Sequence, residues 1–246
     1  MDGPNGFRGD ELPAADGSRR LLLQIAFTAC AVVVAVITVL YVMTSGDRAV
    51  TGHAVAGETA SDHAKSVRVT SSRLITKEGS NQPKVVLSLY EDFLCPHCAH
   101  FEREFGPTIS DLIASGTVAA DYYMIAILDS PNNQNYSSRA ASAAYCVADD
   151  STDAFLRFHS ALFANQPDEF SATFPTDSQF AAIARQAGAV GAVADCINGK
   201  RYLAMAQDLA STEGVNATPT VRINGRDYEL TTAAALARKV TELAGR

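Results

Sequence analysis

Cys95 and Cys98 stand in the segment FLCPHCAH (Phe93–His100), with Pro96 and His97 between them and His100 just beyond. Thiols and imidazoles this close together can hold a metal ion, form an inert staple, or trade electrons with other thiols. A tetrahedral ion needs four converging ligands, usually from two separated pairs. Here Cys95, His97, Cys98 and His100 occupy one turn of chain, with no second C-x-x-C or H-x-x-x-H downstream. One helical turn cannot wrap four side chains around an ion, so neither a metal nor another cofactor is expected.

The electron-trading reading has positive support. A C-x-x-C at the first turn of a helix lets its first thiol meet unpaired backbone N–H groups and the positive end of the helix dipole. Both favour thiolate over thiol, as does His97 when it is protonated or donates a hydrogen bond. Cys95 is then the nucleophile, and Cys98, one turn deeper, resolves the mixed disulfide. Moving Cys95 from about 8.5 to about 5.5 favours the reduced form by roughly 2 kcal/mol at pH 7, or about 45 mV of oxidising power.

The elements that must hold this pair can be traced along the chain. Val67–Thr76 and Lys84–Tyr90 read as strands, separated by the turn-rich GSNQP. The second carries an apolar run, as a strand buried on both faces does. A helix starts at the CPHC, is expected to kink at Gly106-Pro107 and ends at Gly116. Val118–Leu128 is the next strand. From Ser137 to about Thr212 the period becomes helical, and Phe155, Phe158, His159, Leu162 and Phe163 form one apolar stripe. Strand character returns at Pro219–Asn224, turns at Asn224-Gly225, extends again through Tyr228-Glu229-Leu230, and gives way to a helix over Thr231–Ala244. The order β, β, α, β, helical insertion, β, β, α suits an α/β fold with a central mixed sheet and helices on both faces.

The flanks bear on location. Residues 1–20 read as a tail and 44–66 as a small-residue tether. Between them, Leu21–Met43 is uncharged and apolar, long enough as a helix (about 34 Å) to cross a bilayer. A cleaved signal peptide is the rival reading, with Ala54-Val55-Ala56 as its cleavage site, but that site lies far beyond the apolar run. Arg8, Arg19 and Arg20 precede the segment, and Arg48 alone follows closely. The bias keeps the N-terminus cytoplasmic and sends residues 44 onward outside, as in a single-pass cell-membrane protein. Net charge −7 argues against a nucleic-acid partner.

That compartment matters for the other cysteines. Cys30 lies within the apolar segment as a small hydrophobe. Cys146 and Cys196 both fall in the helical insertion, and their even number in an oxidising compartment points to a structural disulfide, with two buried free thiols as the alternative.

Three motifs give the chain a family likeness: YEDFLCPHC (Tyr90–Cys98), FHSALFANQ (Phe158–Gln166) and GVNATPTVRING (Gly214–Gly225). With them, residues 67–246 resemble the DsbA family of thiol:disulfide oxidoreductases, in the thioredoxin superfamily. The resemblance implies a thioredoxin-like fold and a cis bond at Thr218-Pro219 facing the CPHC, where a substrate strand would pair. It also implies reduced exported proteins as clients and a quinone-linked membrane protein of the DsbB or VKOR type as reoxidant. Leu89 stands where many relatives carry a buried acid, and Glu91 and Asp92 are expected to point elsewhere. Ala217 replaces the glycine common before Thr-Pro. His100 and His159 are expected to pack or to lie at the surface. A reductase or isomerase on the same fold, and a non-catalytic chaperone or binding module, are the competing functions.

Overall fold

The computed structural model of the protein describes residues 65–245. At its centre lies the apolar run expected to be buried on both faces: Val85, Leu87 and Leu89 are fully buried and Tyr90 nearly so. This run forms β2 (Val86–Glu91). It pairs in parallel with β3 (Ala119–Met124) and antiparallel with β4 (Thr220–Ile223). A parallel neighbour needs a crossover, and helix α1 (Pro96–Ala114) supplies it. Short strands β1 (Val67–Val69) and β5 (Arg226–Asp227) complete a mixed sheet of order β1-β3-β2-β4-β5. Arg68 and Asp121 face each other across β1 and β3, and the guanidinium donates twice to the carboxylate, at 2.6 and 2.7 Å.

Between β3 and β4 the chain makes a 3-10 turn (Pro131–Asn133) and five α-helices: α2 (Tyr136–Asp150), α3 (Thr152–Ala164), α4 (Asp177–Gln186), α5 (Val193–Asn198) and α6 (Leu203–Thr212). Helix α2 is their axis. Its Ala140, Ala141, Ala143 and Ala144 are fully buried, and such small side chains let neighbouring helices approach closely. Ser151 caps α3, and Thr176 with Gln179 forms a capping box at α4. A last helix, α7 (Ala233–Gly245), packs against α1.

Cys146 of α2 and Cys196 of α5 form a disulfide closing a separation of 50 residues. Replacing both by serine is expected to lower the unfolding free energy by about 2–4 kcal/mol in the chain-entropy account. Urea denaturation of both proteins checks this. An unchanged midpoint would mean that the bond adds nothing to helical packing that already holds.

Several boundaries differ from expectation. The strand expected over Val67–Thr76 stops at Val69, because Ser71 turns the chain: its carbonyl and hydroxyl accept from the N–H groups of Leu74 and Arg73. Thr76 keeps only an isolated bridge to Pro83. Helix α1 is continuous through Gly106-Pro107, where a kink is expected. Pro107 lies on the exposed face, while buried Phe101, Phe105 and Ile109 anchor the helix on both sides. After α1, Gly116 adopts φ +80, and a Cβ there would lie 2.1 Å from the Arg73 carbonyl oxygen, so the turn requires glycine.

Residues 1–20, the apolar segment 21–43 and nearly all of 44–66 fall outside the described residues, as does Cys30. Among the described residues no helix is long and apolar enough to cross a membrane.

Candidate active site

Strand β2 ends at Glu91, and a short loop delivers the chain to Cys95, the N-cap of α1, with Pro96 at the first helical position. Two side chains fix that loop. Asp92, fully buried, accepts from the N–H of Leu94 at 2.8 Å and of Leu128 at 2.9 Å. From the inserted helices, the Gln166 amide donates to the carbonyls of Phe93 (3.0 Å) and Cys95 (2.9 Å). The first turn of α1 is therefore held from both sides.

This placement decides the chemistry of the two thiols. Cys95 is 5% exposed and Cys98 is not exposed at all, so Cys95 is the sulfur that meets other molecules. Its ionisation is lowered to about 5, first by the Cys98 thiol, which donates to it, and further by Thr218 and the backbone N–H groups of Cys98 and His97. Partial burial opposes this and loses. In its thiol form Cys95 donates to the Thr218 carbonyl at 3.4 Å; once ionised it can only accept. Cys98 is shifted far upward, first by burial, then by its bond to Cys95 and by the nearby Glu91. One sulfur is poised as an anion and its partner as a thiol. His97 is exposed, and its main chain supplies the donor.

Across from this turn, half-buried Thr218 and Pro219 precede β4, with a cis peptide bond between them. Beside them a shallow groove is lined by Pro219, Thr220, Val221, Tyr228 and Leu230.

Glu91 does not point elsewhere, as the sequence led us to expect. Period two along β2 puts it on the same side as Leu87 and Leu89, and it is fully buried. Its Oε2 lies 2.9 Å from Nε2 of His159, also buried, on α3. Neither packing alone nor a surface position describes His159. Phe93, Phe163, Tyr122 and Phe155 surround its ring at centroid distances of 4.9–5.7 Å. On the other side of that ring, Nδ1 lies 3.9 Å from Oε2 of Glu102, whose side chain is 17% exposed. Burial pushes both carboxyls well above the ordinary range, to about 8. Burial also lowers His159, so the imidazole stays neutral.

Glu91, Glu102 and His159 are also the side chains among the described residues that gather most like metal ligands, with donor atoms within 4.8 Å of one another. The carboxylates, however, face opposite nitrogens of one ring, whereas an ion takes a single imidazole nitrogen. The arrangement suits proton sharing. Sequence reasoning missed this group and Gln166. The available signs were Glu91 in phase with Leu89, Glu102 four residues after Cys98, and a histidine in an otherwise apolar stripe.

A C-x-x-C that opens a helix after the central strand of a mixed sheet, facing a cis-proline, defines the thioredoxin class. Residues 75–241 match the Thioredoxin family. The chain is similar to the reduced DsbA structure from Mycobacterium tuberculosis at 55% identity and TM-score 0.72, covering 74% of this chain and 93% of that one. It is also similar to the reduced disulfide bond oxidoreductase DsbG of that organism, at 55% identity and TM-score 0.73, covering 75% and 90%. The MdbA thiol-disulfide oxidoreductase of Corynebacterium matruchotii, at 22% identity and TM-score 0.59 over 76% of this chain and 93% of that one, shares the fold. Among curated proteins, the serine/threonine-protein kinase PknE of M. tuberculosis is 32% identical over 147 residues, 58% of this chain. The chain spans about a quarter of that kinase's length (25%). The chain belongs to the thioredoxin family, as a disulfide oxidoreductase of the DsbA type.

Proposed function

We propose that the protein is a membrane-tethered oxidase that introduces disulfides into exported proteins outside the cytoplasmic membrane. The observation that carries this reading is the ionisation of Cys95 at about 5, beside a thiol held protonated. A reduced client thiolate attacks Cys95, Cys98 departs, and the mixed disulfide sits beside Thr218-Pro219 with the client chain along the adjoining groove. A second client thiol then attacks the client's own sulfur, leaving the client oxidised and Cys95 reduced. As the leaving group of the first step, Cys98 needs a proton at once, and Glu91 is a buried acid whose charge bears on both sulfurs. We assign Glu91 as the proton station of Cys98.

The apolar segment 21–43 and the arginines before it support the tether and the outward orientation. The Cys146–Cys196 bond fits an oxidising compartment. Reoxidation is assigned to a quinone-linked membrane protein of the DsbB or VKOR type, which a tether would hold in the same plane at raised effective concentration. A reductase on this fold would show a reduction potential near thioredoxin's, about −270 mV.

A Cys98→Ala variant tests the reading. It is expected to accumulate mixed disulfides between Cys95 and exported proteins, visible as reducible adducts on non-reducing gels. A binding module with an inert CPHC yields none. Alkylation of Cys95 in the unaltered reduced protein should show a half-point near pH 5. In Cys98→Ala that half-point should move up, because the strongest donor to the sulfur is gone.

A further inference from the structure

Three side chains from three elements meet behind the redox pair, and each offers a proton one atom to enter and another to leave. Glu91 terminates β2, Glu102 lies one turn after Cys98 on α1, and His159 comes from α3 of the inserted helices. Glu91 Oε2 faces Nε2 of the ring at 2.9 Å, while its Oε1 is buried without a hydrogen-bond donor. An orphaned buried carboxylate oxygen is costly unless a proton visits it. The ring's Nδ1 faces Glu102 Oε2 at 3.9 Å, which a small side-chain adjustment brings into hydrogen-bond range. Exposure rises along the row, from 0% at Glu91 through 2% at His159 to 17% at Glu102, so the row leads from the core to water. The aromatic box around His159 keeps solvent away from the middle of it.

We propose that Glu91, His159 and Glu102 form a proton relay that carries the Cys98 proton between the buried thiol and solvent across the interface of α1 and α3. The proposal rests on the assignment of Glu91 as the proton station of Cys98. When Cys98 resolves a mixed disulfide during reoxidation, its S–H bond breaks and its electron pair forms the bond to Cys95. The bond from Cys95 to the partner sulfur breaks, and the partner leaves as a thiolate. The Cys98 proton goes to Glu91 Oε1, and the proton on Oε2 passes to Nε2 of His159. Nδ1 gives up its own proton to Glu102, which returns one to water. Reversing the order returns a proton to Cys98 when a client attacks Cys95. His159 and Glu102 act through Glu91 and are positioning and relay residues. The titratable groups facing Glu91 are Cys95, Cys98 and Glu102 from α1, His159 from α3, and Tyr122 from β3.

The test is the resolving step in isolation. Reduced protein is mixed with a symmetric, chromophoric aromatic disulfide; Cys95 attacks it and one aromatic thiolate leaves. Release of the second by Cys98 is followed by stopped flow from pH 5 to 9. Without a relay, thiolate must form by direct loss of the Cys98 proton, which makes the rate climb tenfold per pH unit. The unaltered protein is expected to show a much flatter profile. Glu102→Gln and His159→Phe, which keeps the aromatic box filled, are expected to slow release at pH 7 by tenfold or more and to restore the steep profile. Glu102→Asp should recover part of the rate, and added formate should rescue Glu102→Ala, which a purely structural defect would not allow. Release at the unaltered rate and pH profile in Glu102→Gln overturns the relay, even if His159→Phe fails to fold. So does a slow Glu102→Ala that formate leaves slow. Glu91→Gln separates the two levels of the argument. If it is slow while Glu102→Gln is normal, only the relay is lost; if it too is normal, the proton-station assignment falls as well.

Discussion

The reduction potential of the Cys95–Cys98 pair is expected to fall by about 59 mV per pH unit below the Cys95 ionisation and by about 30 mV per unit above it, with the break near pH 5. Below the break, reduction takes up two protons with two electrons. Above it only Cys98 is protonated on reduction, because Cys95 stays an anion, and Cys98 lies too high to lose its proton anywhere near neutrality. Relative to a pair with an ordinary first thiol, the protein gains oxidising power over each unit between pH 5 and 7. The total is at most about 60 mV at pH 7, and solvent screening at a sulfur this near the surface reduces it. Linkage gives the same sign for stability: a thiolate whose folded pKa is depressed adds stability to the reduced protein as pH rises above 5, with no counterpart in the oxidised protein. Equilibration with glutathione buffers at stepped pH measures the slope. A uniform 59 mV per unit up to pH 8 would mean that Cys95 ionises like any free cysteine.

The second large effect concerns Asp92, which touches neither sulfur through its side chain. Asp92→Ala should lower the unfolding free energy by about 2–5 kcal/mol. Two buried N–H groups, of Leu94 and Leu128, lose their acceptor, and each unpaired donor costs the full price of its desolvation. The loss should also depend on pH. Burial raises the Asp92 carboxyl to about 6 from 3.8, so the folded chain holds that proton longer than the unfolded one. Its contribution is fully present below pH 4, declines as pH rises towards 6, and is level above that. The gap between the two proteins should therefore narrow from pH 4 to 6. Chemical denaturation at three pH values reads both features, and a pH-independent gap below 1 kcal/mol would remove the role given to Asp92.

What the sequence disclosed and what it withheld divide along a physical line. The CPHC at a helix start, the Thr218-Pro219 approach and the apolar stripe of α3 are local patterns, each set by residues close together in the chain. The central strand was legible because an unbroken apolar run has few alternatives. Glu91 is hard to read from the sequence because the acid that many relatives carry falls at the position of Leu89, although the strand's own period puts Glu91 on the same face two residues later. His159 reads as packing in the sequence because a lone histidine in an apolar stripe has no visible partner until α3 meets β2. Gln166 closes the FHSALFANQ motif, but the bridge it makes depends on a contact between residues about 70 positions apart, which no local pattern discloses. The early end of β1 followed from one serine whose hydroxyl offered the backbone a turn.

The staple between Cys146 and Cys196 makes the molecule a recipient of the reaction its own class performs. On the proposed oxidase function, older, oxidised copies would be donors able to install that bond in a freshly made one. Maturation would then speed up as finished molecules accumulate, and a cell stripped of every oxidised copy would restart slowly.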